Sequence, residues 1–297
     1  MHEAGPWLVA TDFSAGARMA ADRAARLAAQ LRQGLVLIHV VPDDALAALK
    51  GWMNPATAWD ARLTEGLRLQ LQEEQQRLTQ TFGVDVTSVM LEGHAVMAID
   101  AEATDVQASC LVVGALGSSR VQHLLLGTTA ERLLRKTSHP LLTVRQPAVR
   151  GYERVLLPLD FSAWSLAAIT LARTVAPDAR LYLVHTFTVP FEEKLRFAGV
   201  DDATIDLYRH QTREAAYAQL QALAMAAGLP ADGYVLRLVE GDAAPSLVEE
   251  AETHGCDLVV IGKHGRNAAE ELLLGSVTKH VLAEVRCDVL VSTQRVG

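Results

Sequence analysis

Leu258-Val259-Val260-Ile261-Gly262-Lys263-His264-Gly265, followed after nine residues by Gly275-Ser276, is the stretch that decides the fold. A short run of branched apolar residues ending in glycine reads as a buried parallel strand that opens into a loop. The first two glycines let backbone approach a ligand with no Cβ in the way. The third glycine, followed by a hydroxyl residue, stands where the next helix begins. Glycine there answers both the need for open phosphate approach and a φ or close-packing demand at the helix start. A helix start offers free N–H groups and the positive end of the dipole to an anion, most naturally a phosphate. The same pattern stands 148 residues earlier, as Leu111-Val112-Val113-Gly114-x-x-Gly117 and then Gly127-Thr128. A lone G-x-x-G is usually a turn. The longer pattern behind a buried strand, found twice in register, is far more specific.

The repeat runs through the chain. Asp12-Phe13-Ser14 returns as Asp160-Phe161-Ser162, and Glu92-Gly93-x-Ala95 as Glu240-Gly241-x-Ala243, each 148 residues on. His39 and His185 are 146 apart, so a two-residue difference is absorbed between them and the Glu-Gly pair. A constant offset means two copies of one fold. The expected domains are 1–148 and 149–297, joined at Gln146-Pro147-Ala148-Val149-Arg150-Gly151. A linker that short does not let the halves drift far apart.

Apolar runs at 7–11, 35–41, 85–91, 111–114 and 141–145 predict strands in the first copy. Helical periodicity covers 14–33, 58–82, 95–107 and 128–137. The second copy repeats the strands at 154–159, 180–187, 234–239, 258–262 and 289–293. Alternating strands and helices imply right-handed βαβ units, with a parallel sheet covered on both faces. Ser14 and Ser162 stand where helix N-caps belong.

Composition agrees. A chain of 297 residues is about two domains at roughly 150 residues each. Half the residues are hydrophobic and 21% are charged, which fits a globular protein with a core. A net charge of −8 argues against nucleic-acid or anionic-membrane partners. No apolar run approaches the roughly 18 residues of a membrane helix. Met1-His2-Glu3-Ala4-Gly5 has neither the basic nor the apolar part of a secretory leader. Cys110, Cys256 and Cys287 form no C-x-x-C pair, which points to a reducing cytoplasm and no structural zinc.

Open α/β sheets bind ligands beyond the carboxyl ends of their strands, where the strand order reverses. With order 3-2-1-4-5, Asp12 or Asp160 after the first strand and the glycines after the fourth converge on one crevice. The acid is placed to hydrogen-bond a ribose hydroxyl. Taken alone it reads as a turn or helix-cap residue. His39 and His185, inside apolar runs, read as satisfied core histidines rather than catalytic ones. Trp52, Met53 and Trp59 read as a cover over the sheet edge or an interface, and 65–77 as a solvated helix face.

At these residues the chain resembles a tandem universal stress protein. The likeness is carried by Val9-Ala10-Thr11-Asp12-Phe13-Ser14, Leu37-Ile38-His39-Val40, Glu92-Gly93 and both long glycine motifs. The second motif resembles the ATP-binding subgroup. The resemblance implies two Rossmann-like, adenine nucleotide alpha hydrolase-like α/β domains, each a five-stranded parallel sheet of order 3-2-1-4-5. It implies ATP, alone or with Mg2+, with Asp12 and Asp160 near the ribose. Val40 and Thr186, just after the strand-2 histidines, offer backbone to the adenine. Gly114, Gly117, Gly127, Thr128 and Thr129 cradle phosphates in one copy. Gly262, His264, Gly265, Gly275, Ser276 and Val277 do so in the other. The resemblance also implies an intrachain pseudo-dimer in which the last strands pair; a further homodimer stays open.

Three function classes follow: a nucleotide-dependent signalling or scaffold protein of the stress response, a slow ATP hydrolase, and a nucleotide-free interaction module. There is no Walker G-x-x-x-x-G-K-[ST]. No extra carboxylate is placed to hold Mg2+ or position water. Weak ATPase activity is therefore the most that is expected. The copies differ: Ala115-Leu116 in the first motif stand where the second has Lys263-His264, with Arg266 just after. Those cations predict tighter ATP binding in the second copy.

Overall fold

The structure, a computed structural model, describes residues 5–43, 59–115, 126–189, 192–265 and 274–293. Its contacts group into two units: the chain up to Gly151 together with Asp288–Thr293, and Tyr152–Cys287.

In the first unit, β1 (Trp7–Ala10), β2 (Leu35–Val41), β3 (Val86–Glu92), β4 (Cys110–Gly114) and β5 (Leu141–Val144) are the apolar runs read from sequence, shifted by a residue or so at their ends. They pair in parallel in the order β3-β2-β1-β4-β5, so the order reverses between β1 and β4. The helices are α1 (Ala15–Leu31), α2 (Trp59–Phe82), α3 (Ala95–Asp105) and α4 (Thr128–Lys136). Ser14 caps α1, its hydroxyl accepting from Ala17 N at 3.2 Å. The buried face of α1 is almost all alanine, which lets the helix lie close on the sheet. Residues 65–77 are not simply a solvated face. Leu71 and Glu74 are buried there, and Arg77 bridges Glu74 at 2.7 Å and Asp22 of α1 at 2.5 Å. Trp52 and Met53 lie outside the described residues.

The last strand, β10 (Asp288–Ser292), groups with this first unit. It runs antiparallel to β5, with Leu290 opposite Leu142, so the unit's sheet is mixed rather than purely parallel. Covering β5 removes an exposed apolar edge. The start of β10 is fixed by Asp288, which is fully buried (0% exposed). Its Oδ1 accepts from the backbone N–H of Arg145 at 2.7 Å and of Gln146 at 3.1 Å. Its Oδ2 lies 3.2 Å from Nε of Arg23, midway along α1. Arg23 also donates from Nη1 to Arg150 O at 2.8 Å. Two charges leave water here, and that is tolerable only because the ion pair and the backbone donors compensate.

The second unit holds β6 (Arg154–Pro158), β7 (Arg180–Phe187), β8 (Tyr234–Glu240) and β9 (Leu258–Gly262), in the order β9-β6-β7-β8 and all parallel. Its helices are α5 (Ala163–Val175), α6 (Glu192–Phe197), α7 (Asp202–Ala226), α8 (Ala243–Thr253) and α9 (Ser276–Glu284). The sequence reading did not anticipate α6; Arg209 of α7 holds it by donating to Glu192 at 2.8 Å. Ser162 occupies the N-cap position of α5, but its side chain makes no cap hydrogen bond. Glu250 of α8 accepts two 3.0 Å hydrogen bonds from Arg237 of β8, and it meets His254 Nε2 at 3.2 Å. Arg237 holds the Glu250 carboxyl below the usual carboxylate range, against the upward push of burial. Cys110, Cys256 and Cys287 are all buried, and burial pushes the Cys256 thiol up to about 12.

Two outcomes follow from these contacts. Asp288→Ala leaves Arg23 buried without its counter-charge, and breaking such a pair costs about 3–5 kcal/mol. A clear fall in the urea midpoint is expected; a midpoint within error of the unaltered chain contradicts this account. The Glu250 carboxyl is depressed in the fold, so its contribution is present above its ordinary value near 4.5 and is lost as pH falls through the lower folded value. Glu250→Gln should therefore lower stability at pH 7 and make it less steep in acid. Parallel acid unfolding curves for the two proteins would refute it.

Candidate functional site

The site begins with a turn in a conformation that side chains avoid. Phe13 has φ of 62°, in the left-handed region where non-glycine residues are uncommon. Four contacts hold it. Thr11 N donates to Ile38 O at 2.8 Å, which pins the end of β1 to β2. Phe13 N donates to Thr11 Oγ1 and Ser14 N to Asp12 Oδ1, both at 3.0 Å. The Phe13 ring lies 4.5 Å from the His39 ring. His39 Nδ1 is 2.8 Å from Thr11 O. A carbonyl only accepts, so Nδ1 carries the proton and Nε2 is left as an acceptor in the neutral ring.

The second unit repeats the device. Phe161 has φ of 62° and its ring lies 4.2 Å from that of His185. His185 Nδ1 is 2.7 Å from Leu159 O, and Ser162 N donates to Asp160 Oδ1 at 3.0 Å. Both histidines are half-buried and hydrogen-bonded, as the sequence implies. They brace the turn that carries the acid.

In the first unit the turn faces a cavity of about 200 Å3 at the carboxyl ends of β1, β2 and β4. Asp12, Val40, Gly114, Gly127, Thr128 and Thr129 all line it. Gly117 lies outside the described residues. Thr11, Ile38, Ala95 and Ile99 also form its walls. The sequence reading did not place these four. Ala95 carried a signal, because it belongs to the repeated Glu-Gly-x-Ala, and the turn of α3 that it opens brings in Ile99.

The glycines do two different jobs. Gly127 is the N-cap of α4, with φ −56° and ψ 144° and no side-chain cap. Any residue adopts those angles, so backbone conformation does not require glycine. Gly275, the N-cap of α9, has the same angles. A Cβ there would stand 3.4 Å from Lys263 O, an ordinary contact. The φ demand expected at these helix starts is therefore absent at both, and no close packing demands glycine at Gly275. The missing Cβ leaves the first-turn N–H groups open to approach. Gly114 and Gly262 differ. A Cβ on Gly114 would lie 2.8 Å from the Gly16 carbonyl carbon, and one on Gly262 would lie 2.8 Å from Trp164 Cβ. These glycines let a helix start pack on the strand end.

The second unit brings Asp160 and Gly265 together: a Cβ on Gly265 would lie 2.8 Å from Asp160 Oδ2. Thr186 follows His185 on β7, and Ser276 and Val277 open α9. Lys263 and His264 are only 6% and 5% exposed, so they do not stand open in the crevice as expected. The Trp164 ring packs 5.1 Å from that of His264. Arg266 lies outside the described residues. Asp160 Oδ1 also accepts from Ser165 Oγ at 3.2 Å. The sequence reading did not single out Trp164 and Ser165. The offset of 148 aligns them with Gly16 and Ala17, and that contrast was legible.

Comparison with known proteins fits this geometry. The universal stress protein family model matches residues 6–145 and 151–293. A universal stress protein of Methanocaldococcus jannaschii is 30% identical over 142 residues, 47% of this chain and 81% of that protein. One from Thermus aquaticus is 30% identical over 141 residues, 47% of this chain and 97% of that protein. A solved universal stress protein from Archaeoglobus fulgidus matches 96% of this chain and 97% of its own, with TM-score 0.66 and 16% identity, which speaks for the fold.

The two kinds of glycine separate by experiment. Gly114→Ala drives a Cβ into the backbone of α1 and should cost about 1–3 kcal/mol, the range of overpacking. Gly127→Ala should melt within a few degrees of the unaltered chain. Equal thermal shifts for the two variants would remove the distinction.

Proposed function

Since the chain belongs to the universal stress protein family, we propose that it binds ATP, alone or with Mg2+, in the crevice of its first repeat, and acts as a nucleotide-dependent signalling or scaffold protein of the stress response. The observation that carries this reading is the start of α4. Gly127 sits there with backbone angles open to every residue and no side-chain cap, and the exposed Thr128 and Thr129 follow it beside a cavity. Open amides, a helix dipole and two hydroxyls suit a polyanion.

The cavity's size divides the ligand. Pockets that enclose a whole drug-sized molecule run from roughly 300 Å3 upward. At about 200 Å3 this one suits a base and sugar, with the phosphates outside along α4. The β1–β2 ladder ends at Ala10 opposite Ile38, so the β2 backbone at Val40 runs along the crevice toward the base. Asp12 is exposed on its braced turn at the cavity, and this reading sets the sugar beside it. The net charge of −8 does not oppose this, because the attraction is local to a helix start. In this reading the repeats meet at residue 148, the last strands make an intrachain pseudo-dimer, and the protein works in the cytoplasm. The pairing of β10 with β5 supports the pseudo-dimer.

Mass spectrometry of the supernatant from denatured, freshly purified protein should find ATP or its products. Gly127→Val should keep the fold and weaken ATP binding at least tenfold in calorimetry, because a branched side chain then covers the amides. Unchanged affinity in a folded Gly127→Val protein would reduce the motif to a turn. Phosphate release above blank would move the protein toward the hydrolase class.

A further inference from the structure

The two repeats share a motif and differ beneath it. In the first, Gly16 and Ala17 open α1, and Gly114 is half-buried beside the cavity. In the second, the same positions carry Trp164 and Ser165, 8% and 3% exposed. The Trp164 side chain lies directly over Gly262: a Cβ there would meet Trp164 Cβ at 2.8 Å and Cγ at 3.5 Å. Gly262 is buried there. The indole then packs on His264, ring centroids 5.1 Å apart, and His264 is itself 5% exposed.

The acid is engaged as well. Ser165 Oγ donates to Asp160 Oδ1 at 3.2 Å, a contact Ala17 cannot make to Asp12. Gly265 stands against the other oxygen, leaving 2.8 Å between Asp160 Oδ2 and the place of a Cβ. Asp160 is half-buried, while Asp12 is exposed. A nucleotide entering the second repeat would have to displace a packed indole and compete with a hydroxyl already on the carboxylate. Displacing buried aromatic surface forfeits a large hydrophobic and packing contribution.

We infer that Trp164, with His264 and Ser165, closes the second repeat's crevice, so that the chain takes up a single adenine nucleotide, in its first repeat. This rests on the nucleotide reading of the first site. It reverses the order of affinities that Lys263 and His264 suggest from sequence. Both side chains are buried, His264 against the indole, and a cation held there does not face an entering phosphate. The second repeat then contributes a closed copy of the fold.

The test is ATP titration of the full chain by calorimetry, joined to photolabelling with 8-azido-ATP and peptide mapping. One equivalent per chain is expected, with label confined to first-repeat peptides. Trp164→Gly, which restores the first repeat's residue, should raise the count toward two and bring label into the second repeat. Two equivalents on the unaltered chain, or label in its second repeat, overturns the inference and leaves the nucleotide reading standing. A folded Trp164→Gly protein that still binds one equivalent removes the indole as the closing group and overturns the inference too. If that variant does not fold, the label map of the unaltered chain decides alone. No binding at all overturns the nucleotide reading and this inference together.

Discussion

Everything at the crevice depends on one backbone torsion held where side chains resist it. Phe13 and Phe161 each sit at φ 62°. A single non-glycine residue in that region costs on the order of 1 kcal/mol, so something must hold it there. What holds it is a histidine one strand away. Its ring supports the phenyl ring, and its Nδ1–H binds the carbonyl that ends or follows β1 or β6. That arrangement turns the chain out of the sheet, sets the acid at the sheet's end, and starts the next helix within two residues. Removing the histidine would free the carbonyl and the ring together, which explains why a polar residue stands in the middle of each apolar second strand.

The glycines extend the same logic to the other side of the crevice. At Gly114 and Gly262 the missing Cβ brings a helix start and a strand end into contact, and that contact sets the crevice's width. At Gly275 a Cβ would meet only ordinary contacts, and at both Gly127 and Gly275 the helix start has no side-chain cap. One residue type thus serves packing at one end of the motif and access at the other. The packing use also decides what is tolerated opposite. Gly16 keeps the contact small, whereas Trp164 turns it into a plug.

Most of the fold was legible because its signals are strong and local. Apolar runs bounded by glycine gave the strands, and a constant offset of 148 gave the two copies. The described candidate residues of the first site gather because they sit at carboxyl ends of strands or at the start of α4, which the βαβ rule puts on one edge. What escaped was of another kind. Lys263 and His264 read as donors by residue type, yet both are buried, and His264 packs on Trp164, a hundred residues away in sequence and in contact only through the fold. The 65–77 stretch read as solvated by charge count, yet Glu74 is buried, its charge met by Arg77 one turn later. Charge pattern names partners along a helix; it does not say which face the sheet will cover.

The ion pair between Arg23 and Asp288 has no repeat-derived signal, and it connects the crevice to the far end of the chain. α1 begins at the cavity wall, where Ser14 and Ala17 stand, and two turns later carries Arg23. Arg23 meets a carboxylate that also accepts from the N–H groups of Arg145 and Gln146, just past β5. A helix is stiff over that distance, so its start and its arginine move together. Because β5 and β4 are neighbours, and β4 ends at Gly114, the same pair also steadies the strand whose glycine meets Gly16. The first site is thus framed by its own strands and by the chain's last strand, and the turn at Phe13 has a fixed helix to lean on.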